Sequence, residues 1–529
     1  MFSRYIRIPA LITVSVVLAS CGGASQEEEP DDGGAEYPSA ISMADDTSAE
    51  ATFRFANHQP PSSFDPSRST GGLDQTYLTP IYDRLVRMMP DGSIEPMLAE
   101  SFDASEEDMT ITFQLRDDVE FHDGTMLDAD VVKLNIDRMR DESATVSNEV
   151  ATIDEVVVVD SSTVEMKLNS GLASTLAVLS GRAGMIVSGD AIESDDINTN
   201  PVGAGPYKAT SVTPGERISA ERFDNYWNKD NEDEQNVAAF EIIGVQEGQT
   251  RLNGLNSGEY DGAVIDSQSA QAAGDEVEVL MGPTPAFYHM SLNSEEGAIQ
   301  DPRIAEAINH AIDREAISEG LTDGTCIPQV TPWSNTSIAY NEELGSGLDR
   351  FPYDPDRAIE LLEEAGYEDP ANGLDSPHAN ITASTQMAEV VQAQLAEVGI
   401  TINPRGQAVG GVFEEFVISE RMPVTVTGYT GGSDPDAVYE RMLSPTAPYN
   451  PGGWEDEEFS ALAEDGANSI DPDARGEAYH QMAEMMVTDT ITPLITICNT
   501  QRITGYSSSA SNVQVYGDYE EIRYAAKSE

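Results

Sequence analysis

The side chains best suited to chemistry are thinly and irregularly placed. Six histidines, His58, His122, His289, His310, His378 and His480, stand apart, none three or four residues from another as helical metal ligands must be. No metal or cofactor is expected. Gly-x-Ser-x-Gly, the Gly-x-x-x-x-Gly-Lys phosphate loop and Cys-x-x-Cys are missing, and Gly203-Ala204-Gly205 is too short for a dinucleotide turn. Among 94 carboxylates some pair will stand like a glycosidase acid and base by chance, so no hydrolase is inferred. The chemistry left open is binding.

Three cysteines divide into two roles. Arg4 and Arg7 precede an apolar run from Ile8 to Leu18, followed by Leu18-Ala19-Ser20-Cys21. A basic start, a short apolar core and small residues before a cysteine form an export segment rather than part of the fold. Residues 1–21 resemble a bacterial lipoprotein signal in which Cys21 is lipidated, and acyl chains on that one residue would anchor the chain to a membrane surface. The expected location is the outer face of the cytoplasmic membrane, or facing a periplasm. Cys326 and Cys498 remain for an oxidising compartment, where they could be bridged or could be two separately buried thiols.

Residues 22–50, with Glu27-Glu28-Glu29-Pro30-Asp31-Asp32, contain few large apolar side chains and are expected to form a flexible acidic tether. Beyond it, Met109, Ile111, Phe113 and Leu115 alternate as in a half-buried strand. Val156–Val159 and Val164, Met166 and Leu168, either side of Asp160-Ser161-Ser162, predict a hairpin. Asp301-Pro302 starts a helix with Ile304, Ala307, Ile308, Ala311 and Ile312 at helical spacing. A second helix begins after Tyr353-Asp354-Pro355 and stops at Gly366, and a third runs through Val391, Leu395 and Val398 to Gly399, before a strand at Ile400-Thr401-Ile402. Helix followed by strand makes the second half an α/β layer.

A chain of 529 residues exceeds one ordinary core of about 100 to 200 residues, so two or three compact units are expected. Its formal charge of −66, from 28 Lys plus Arg against 94 Asp plus Glu, repels phosphate backbones and excludes nucleic-acid binding. The acid reads first as a solvated surface, of a kind suited to high salt.

Several collinear segments resemble the family 5 extracellular solute-binding proteins, the dipeptide-, oligopeptide- and nickel-binding proteins of ATP-driven (ABC) importers. They include Ser63-Phe64-Asp65-Pro66, Ile94-Glu95-Pro96-Met97-Leu98-Ala99-Glu100-Ser101-Phe102, and the most specific block, Thr112 to Gly124, which ends in Phe121-His122-Asp123-Gly124. Val202-Gly203-Ala204-Gly205-Pro206-Tyr207, Tyr226-Trp227, Ala311-Ile312-Asp313-Arg314 and Tyr353-Asp354-Pro355 follow in order. His122-Asp123-Gly124 reads as a turn, with His122 bonded within it rather than to a ligand.

The resemblance implies an α/β, bilobal periplasmic-binding-protein-like fold, two lobes with an extra subdomain on the first. Lobe one would be residues 51–283, lobe two 284–499, and 500–529 a return to lobe one. It further implies a monomeric, non-enzymatic receptor that captures a peptide-like or other small polar solute and delivers it to ABC permease subunits. The alternative is a secreted enzyme or sensor module on the same scaffold.

For the pocket, Thr427 to Pro435 resembles the family's ligand-side loop, which makes Tyr429, with Thr430 and Gly431, the expected contact. Where peptide-binding members carry a carboxylate for the peptide ammonium, this chain has Gly431, Gly432 and Ser433. Gly181 to Ser188 resembles the segment where nickel-binding members place an arginine on a carboxylate, so Arg182 is expected to grip a ligand carboxylate bidentately. Trp333, Tyr449 and Asn450 are further candidates, of residue types that line pockets and equally fill cores.

Overall fold

The computed structural model describes residues 37–528 apart from 90–91, 195, 294–298, 433, 489–491, 516 and 518. Cys21 and the export segment lie outside the described residues. The alternation near residue 110 forms the strand Thr110–Leu115, which buries Ile111, Phe113 and Leu115. Met109, expected within it, stands just before it at φ 49° and still packs against the same core. The strand lies in a four-stranded antiparallel sheet between Ala99–Ser105 and Thr163–Leu168, and the latter pairs with Ile153–Asp160 as the predicted hairpin.

A larger sheet organises the molecule. Its strands are β1 (Thr52–Asn57), β2 (Tyr207–Thr213), β3 (Arg217–Arg222), β4 (Ala239–Gly244), β5 (Gly262–Val264), β6 (Val277–Leu292), β7 (Cys326–Pro328), β8 (Val424–Tyr429) and β9 (Leu494–Ser507). They lie in the order β8-β6-β9-β5-β1-β4-β3-β2, with β7 also paired to β9.

Strands β6 and β9 run through two cores. Their antiparallel register goes from Val277↔Ser507 to Pro283↔Gln501, breaks, and resumes from Phe287↔Asn499 to Ser291↔Leu494. Pro283 and Pro285 lack the N–H that a continuous ladder needs, which fits a break between them and Phe287. On one side a core gathers residues from Phe53 to Leu280 and returns with Tyr506, Ile522 and Ala525. On the other, cores run from Met290 to Cys498 and from Phe287 to Leu494. These two sides are the first and second lobes.

The main helices are α1 (Leu172–Leu179), α2 (Pro302–Ala311), α3 (Pro355–Ala365), α4 (Thr382–Glu397), α5 (Glu457–Asn468) and α6 (Pro472–Thr488). Asp301 caps α2 by accepting from the Arg303 N–H at 3.0 Å, with Pro302 in the first turn. Asp354 caps α3 at the Arg357 N–H, 2.9 Å away, and Gly366 ends it at φ 68°. After α4 the predicted strand starts at Ile402 rather than Ile400, where pairing with Leu374–Ala379 begins. No helix among the described residues is long and apolar enough to cross a membrane.

The expected tether is shorter than residues 22–50. Ala40–Ile41 pair antiparallel with Val513–Gln514, Thr47 bridges Ser528, and Tyr37 packs on a core cluster. Backbone groups near residue 513 supply partners that outweigh the segment's low apolar content. Residues 22–36 lie outside the described residues.

The C-terminal segment is held to the first lobe by buried charge. Arg523, fully buried, donates to Asp83 Oδ1 at 2.8 Å, and Arg502 donates to Glu520 Oε2 at 2.6 Å. In the second lobe β7 lies beside β9, and Cys326 and Cys498 are bridged with Cα atoms 5.4 Å apart.

Candidate ligand cleft

Gly171, at φ 65°, opens α1, and its backbone N–H donates to Asn468 Oδ1 at the end of α5, 2.9 Å away. First-lobe α1 thus meets the second lobe. Beyond α1 Arg182 starts a 3₁₀ turn, Arg182–Gly184. Its guanidinium donates to the Ser69 carbonyl at 2.7 Å and forms an ion pair with Glu149. The fork expected to be free for a ligand carboxylate already holds two oxygen partners, because the fold brings Glu149 beside it.

Tyr429 ends β8 in register with Phe287, their rings 5.3 Å apart. Burial pushes the Tyr429 hydroxyl up to about 12, with Arg441 opposing and Glu149 adding to the shift. Glu149 belongs to the first lobe and Arg441 to the second, so both walls act on one phenol. Thr430 follows, exposed. Gly431 sits at φ 77°, and a Cβ there would meet the Pro285 carbonyl oxygen at 2.3 Å, so this loop requires glycine where it passes the strand break. Ser433 lies outside the described residues.

Tyr449 is half-buried, 6.0 Å from the His289 ring and 5.6 Å from the Arg441 guanidinium carbon. Trp333 is 3% exposed within the Phe287–Leu494 core, 6.2 Å from Tyr479, and its indole N–H has no partner among the described residues. Asn450 departs from its expected role. Its Nδ2 donates to the Ser444 and Trp454 carbonyls at 2.9 and 2.8 Å, and its Oδ1 accepts from the Trp454 N–H at 2.9 Å. Both amide hydrogens are spent closing that loop.

Other residues here were not singled out in the sequence. Arg441 stands over both Phe413 and Tyr449, and Asp436 is buried nearby in the second lobe. Burial raises the Asp436 carboxyl to about 7, Asp434 and Glu440 push the same way, and the Ser174 hydrogen bond and Arg475 oppose. One signal for Arg441 existed: it is the single Lys or Arg between Arg421 and Arg475.

A serine and a histidine also meet, Ser291 Oγ and His289 Nδ1 at 3.0 Å. They do not form an activated nucleophile. Both are buried, burial drives His289 down to about 3, and its Nε2 meets no orienting carboxylate among the described residues. His122, as expected, bonds within its own region, with Nε2 2.9 Å from the Gly205 carbonyl.

Two α/β lobes joined by β6 and β9, with polar and aromatic side chains meeting between them, define the class of bilobal binding proteins. The chain belongs to the bacterial extracellular solute-binding proteins, family 5, whose middle-region model matches residues 93–450. It is 28% identical over 398 residues to the glutathione-binding protein GsiB of Pectobacterium atrosepticum, covering 72% of this chain and 74% of that one. The GsiB of Salmonella paratyphi A is 30% identical over 349 residues, 64% of this chain and 66% of that one.

Among solved structures, HbpA2 from Haemophilus parasuis superposes with a TM-score of 0.76 at 20% identity, covering 90% of this chain and 100% of that one. A dipeptide-binding protein from a Pseudoalteromonas species, in complex with Met-Leu, gives 0.71 at 21% identity, with coverage of 90% and 100%. The protein is a substrate-binding protein of an ABC importer.

Proposed function

We propose that this receptor binds a small peptide-like solute carrying a carboxylate, encloses it unchanged between the lobes, and releases it to permease subunits. The observation that carries the reading is the bond from the Gly171 N–H to Asn468 Oδ1 that joins the lobes, together with the aromatic and cationic side chains Tyr429, Tyr449 and Arg441 of the second lobe. Closure would draw its energy from contacts made only when the lobes meet. Tyr429, Thr430, Gly431, Tyr449 and Trp333 would supply the walls, with Arg182 behind them. The lobes would divide near residues 283 and 499, and the monomer would be held at the membrane by lipidated Cys21.

The relatives named glutathione-binding proteins suggest the first ligands. Calorimetric titration with glutathione and a set of dipeptides is expected to give one site per monomer, with mass spectrometry recovering each ligand intact. Product formation would replace this reading with the secreted enzyme, and failure of the whole set to bind would remove the peptide-like class. Cys21→Ser should release the exported protein from membranes; wild type carrying no lipid mass would refute the anchor.

A further inference from the structure

In a chain where acids outnumber bases 94 to 28, a guanidinium without an acid needs a reason. Arg441 is exposed, and no carboxylate among the described residues stands within ion-pair distance of it. Arg182 is matched by Glu149, and Arg475 is matched by Asp434 at 2.6 Å. Arg441 is thus a guanidinium of this cleft that has no ion-pair partner among the described residues.

The place of Arg441 is also fixed. Its guanidinium carbon lies 6.0 Å from the Phe413 ring centre and 5.6 Å from that of Tyr449. The Arg441 carbonyl accepts from the Tyr449 N–H at 3.0 Å, so the turn that carries one positions the other. Flat aromatic faces hold the cationic plane, and the hydrogen bond to the Tyr449 side chain uses only part of its five-donor edge. The Arg441 charge lowers the Tyr429 hydroxyl against the larger effect of burial. Glu440, the next residue along, acts instead on Asp436 and Tyr439.

We infer that Arg441, rather than Arg182, reads the solute's carboxylate, and that Phe413 and Tyr449 are positioning residues for it. The inference rests on the carboxylate-bearing solute proposed above. The molecule's negative field acts against any anion at a distance, but it is screened beyond about 8 Å at physiological salt, whereas a bidentate pair acts at contact. Arg441 is thus the charge that permits an anionic group to settle in an otherwise acidic protein.

The test compares glutathione and the dipeptide Ala-Leu with their C-terminal amides, by calorimetry on the full chain. Wild type is expected to bind each acid roughly 10- to 100-fold more tightly than its amide. Arg441→Gln should abolish that ratio by weakening the acid alone, and Arg441→Lys should restore part of it. The unfolding midpoint of Arg441→Gln should fall only slightly, since the stacking lost on Phe413 and Tyr449 is worth about 0.5 to 1 kcal/mol at an exposed site, and that fall is common to acid and amide and so leaves their ratio to report the carboxylate alone. Equal binding of acid and amide by wild type, or a ratio that survives Arg441→Gln, overturns this inference alone. Binding of neither by wild type overturns the peptide-like reading on which it stands.

Discussion

Asn468 Oδ1, at the end of α5, accepts from the backbone N–H of Gly171, 2.9 Å away, at the start of α1. The two residues are 297 positions apart, and the bond ties a first-lobe helix to a second-lobe one. A contact of this kind exists only while the lobes are closed, so it should weigh on ligand affinity more than on the stability of either lobe. Asn468→Ala is expected to cost about 0.5 to 1.5 kcal/mol of closure, roughly a 2- to 10-fold loss of affinity, with the thermal midpoint of the ligand-free protein nearly unchanged. Titration of the two proteins with one ligand checks it, and an equal fall in midpoint without loss of affinity contradicts it.

Asp436 should make closure depend on pH. Burial raises its carboxyl from 3.8 to about 7, so the closed form takes up a proton that a solvated carboxyl would release. A raised acid contributes its stability in full below the solvated group's ordinary value of 3.8 and loses it as pH rises through about 7. Asp436→Asn should therefore bind ligand with a flatter dependence between pH 5 and about 8, and more tightly than wild type at the upper end. Parallel slopes for the two proteins would count against it.

Three histidines act in the opposite direction. Burial lowers His58 and His122 to about 4 and His289 to about 3, so each is held neutral and uncharged in the fold. Depressed histidines contribute stability present above their ordinary value of 6.5, which is lost as pH falls toward the lowered one. Urea midpoints should fall as pH drops from about 6.5 to about 4, and His289→Phe should lessen that fall. A variant with the wild-type acid slope would show that His289 takes no part.

The bridge between Cys326 and Cys498 closes a loop across 172 positions. Chain entropy assigns a loop of that length about 5 kcal/mol, an upper figure since a compact unfolded chain already restricts it. Alkylation of the denatured, unreduced protein should find no free thiol at these positions, and reduction should lower the unfolding midpoint. Two alkylated thiols per mature chain would disprove the bridge.

Local chemistry made the helices at Pro302 and Pro355 legible, because Asp301, Asp354 and Gly366 satisfy backbone groups only a few residues away. The strand Thr110–Leu115 was legible from its alternation for the same reason, and the turn at Gly124 from a residue able to adopt φ 90°. The motifs from Ser63 to Tyr353 carried the family and its bilobal fold. The site lay beyond such reach. Whether an arginine is free depends on what folds beside it, and Glu149 reaches Arg182 from 33 positions away while no acid reaches Arg441 among the described residues. Asn450 could not be told from a pocket amide until its partners in residues 444–454 were seen. Residue types and local spacing thus determined the elements and the class, whereas the pairing of charges and the meeting of Gly171 with Asn468 were decided by the tertiary structure, because electrostatic and hydrogen-bond partners are chosen by distance in space.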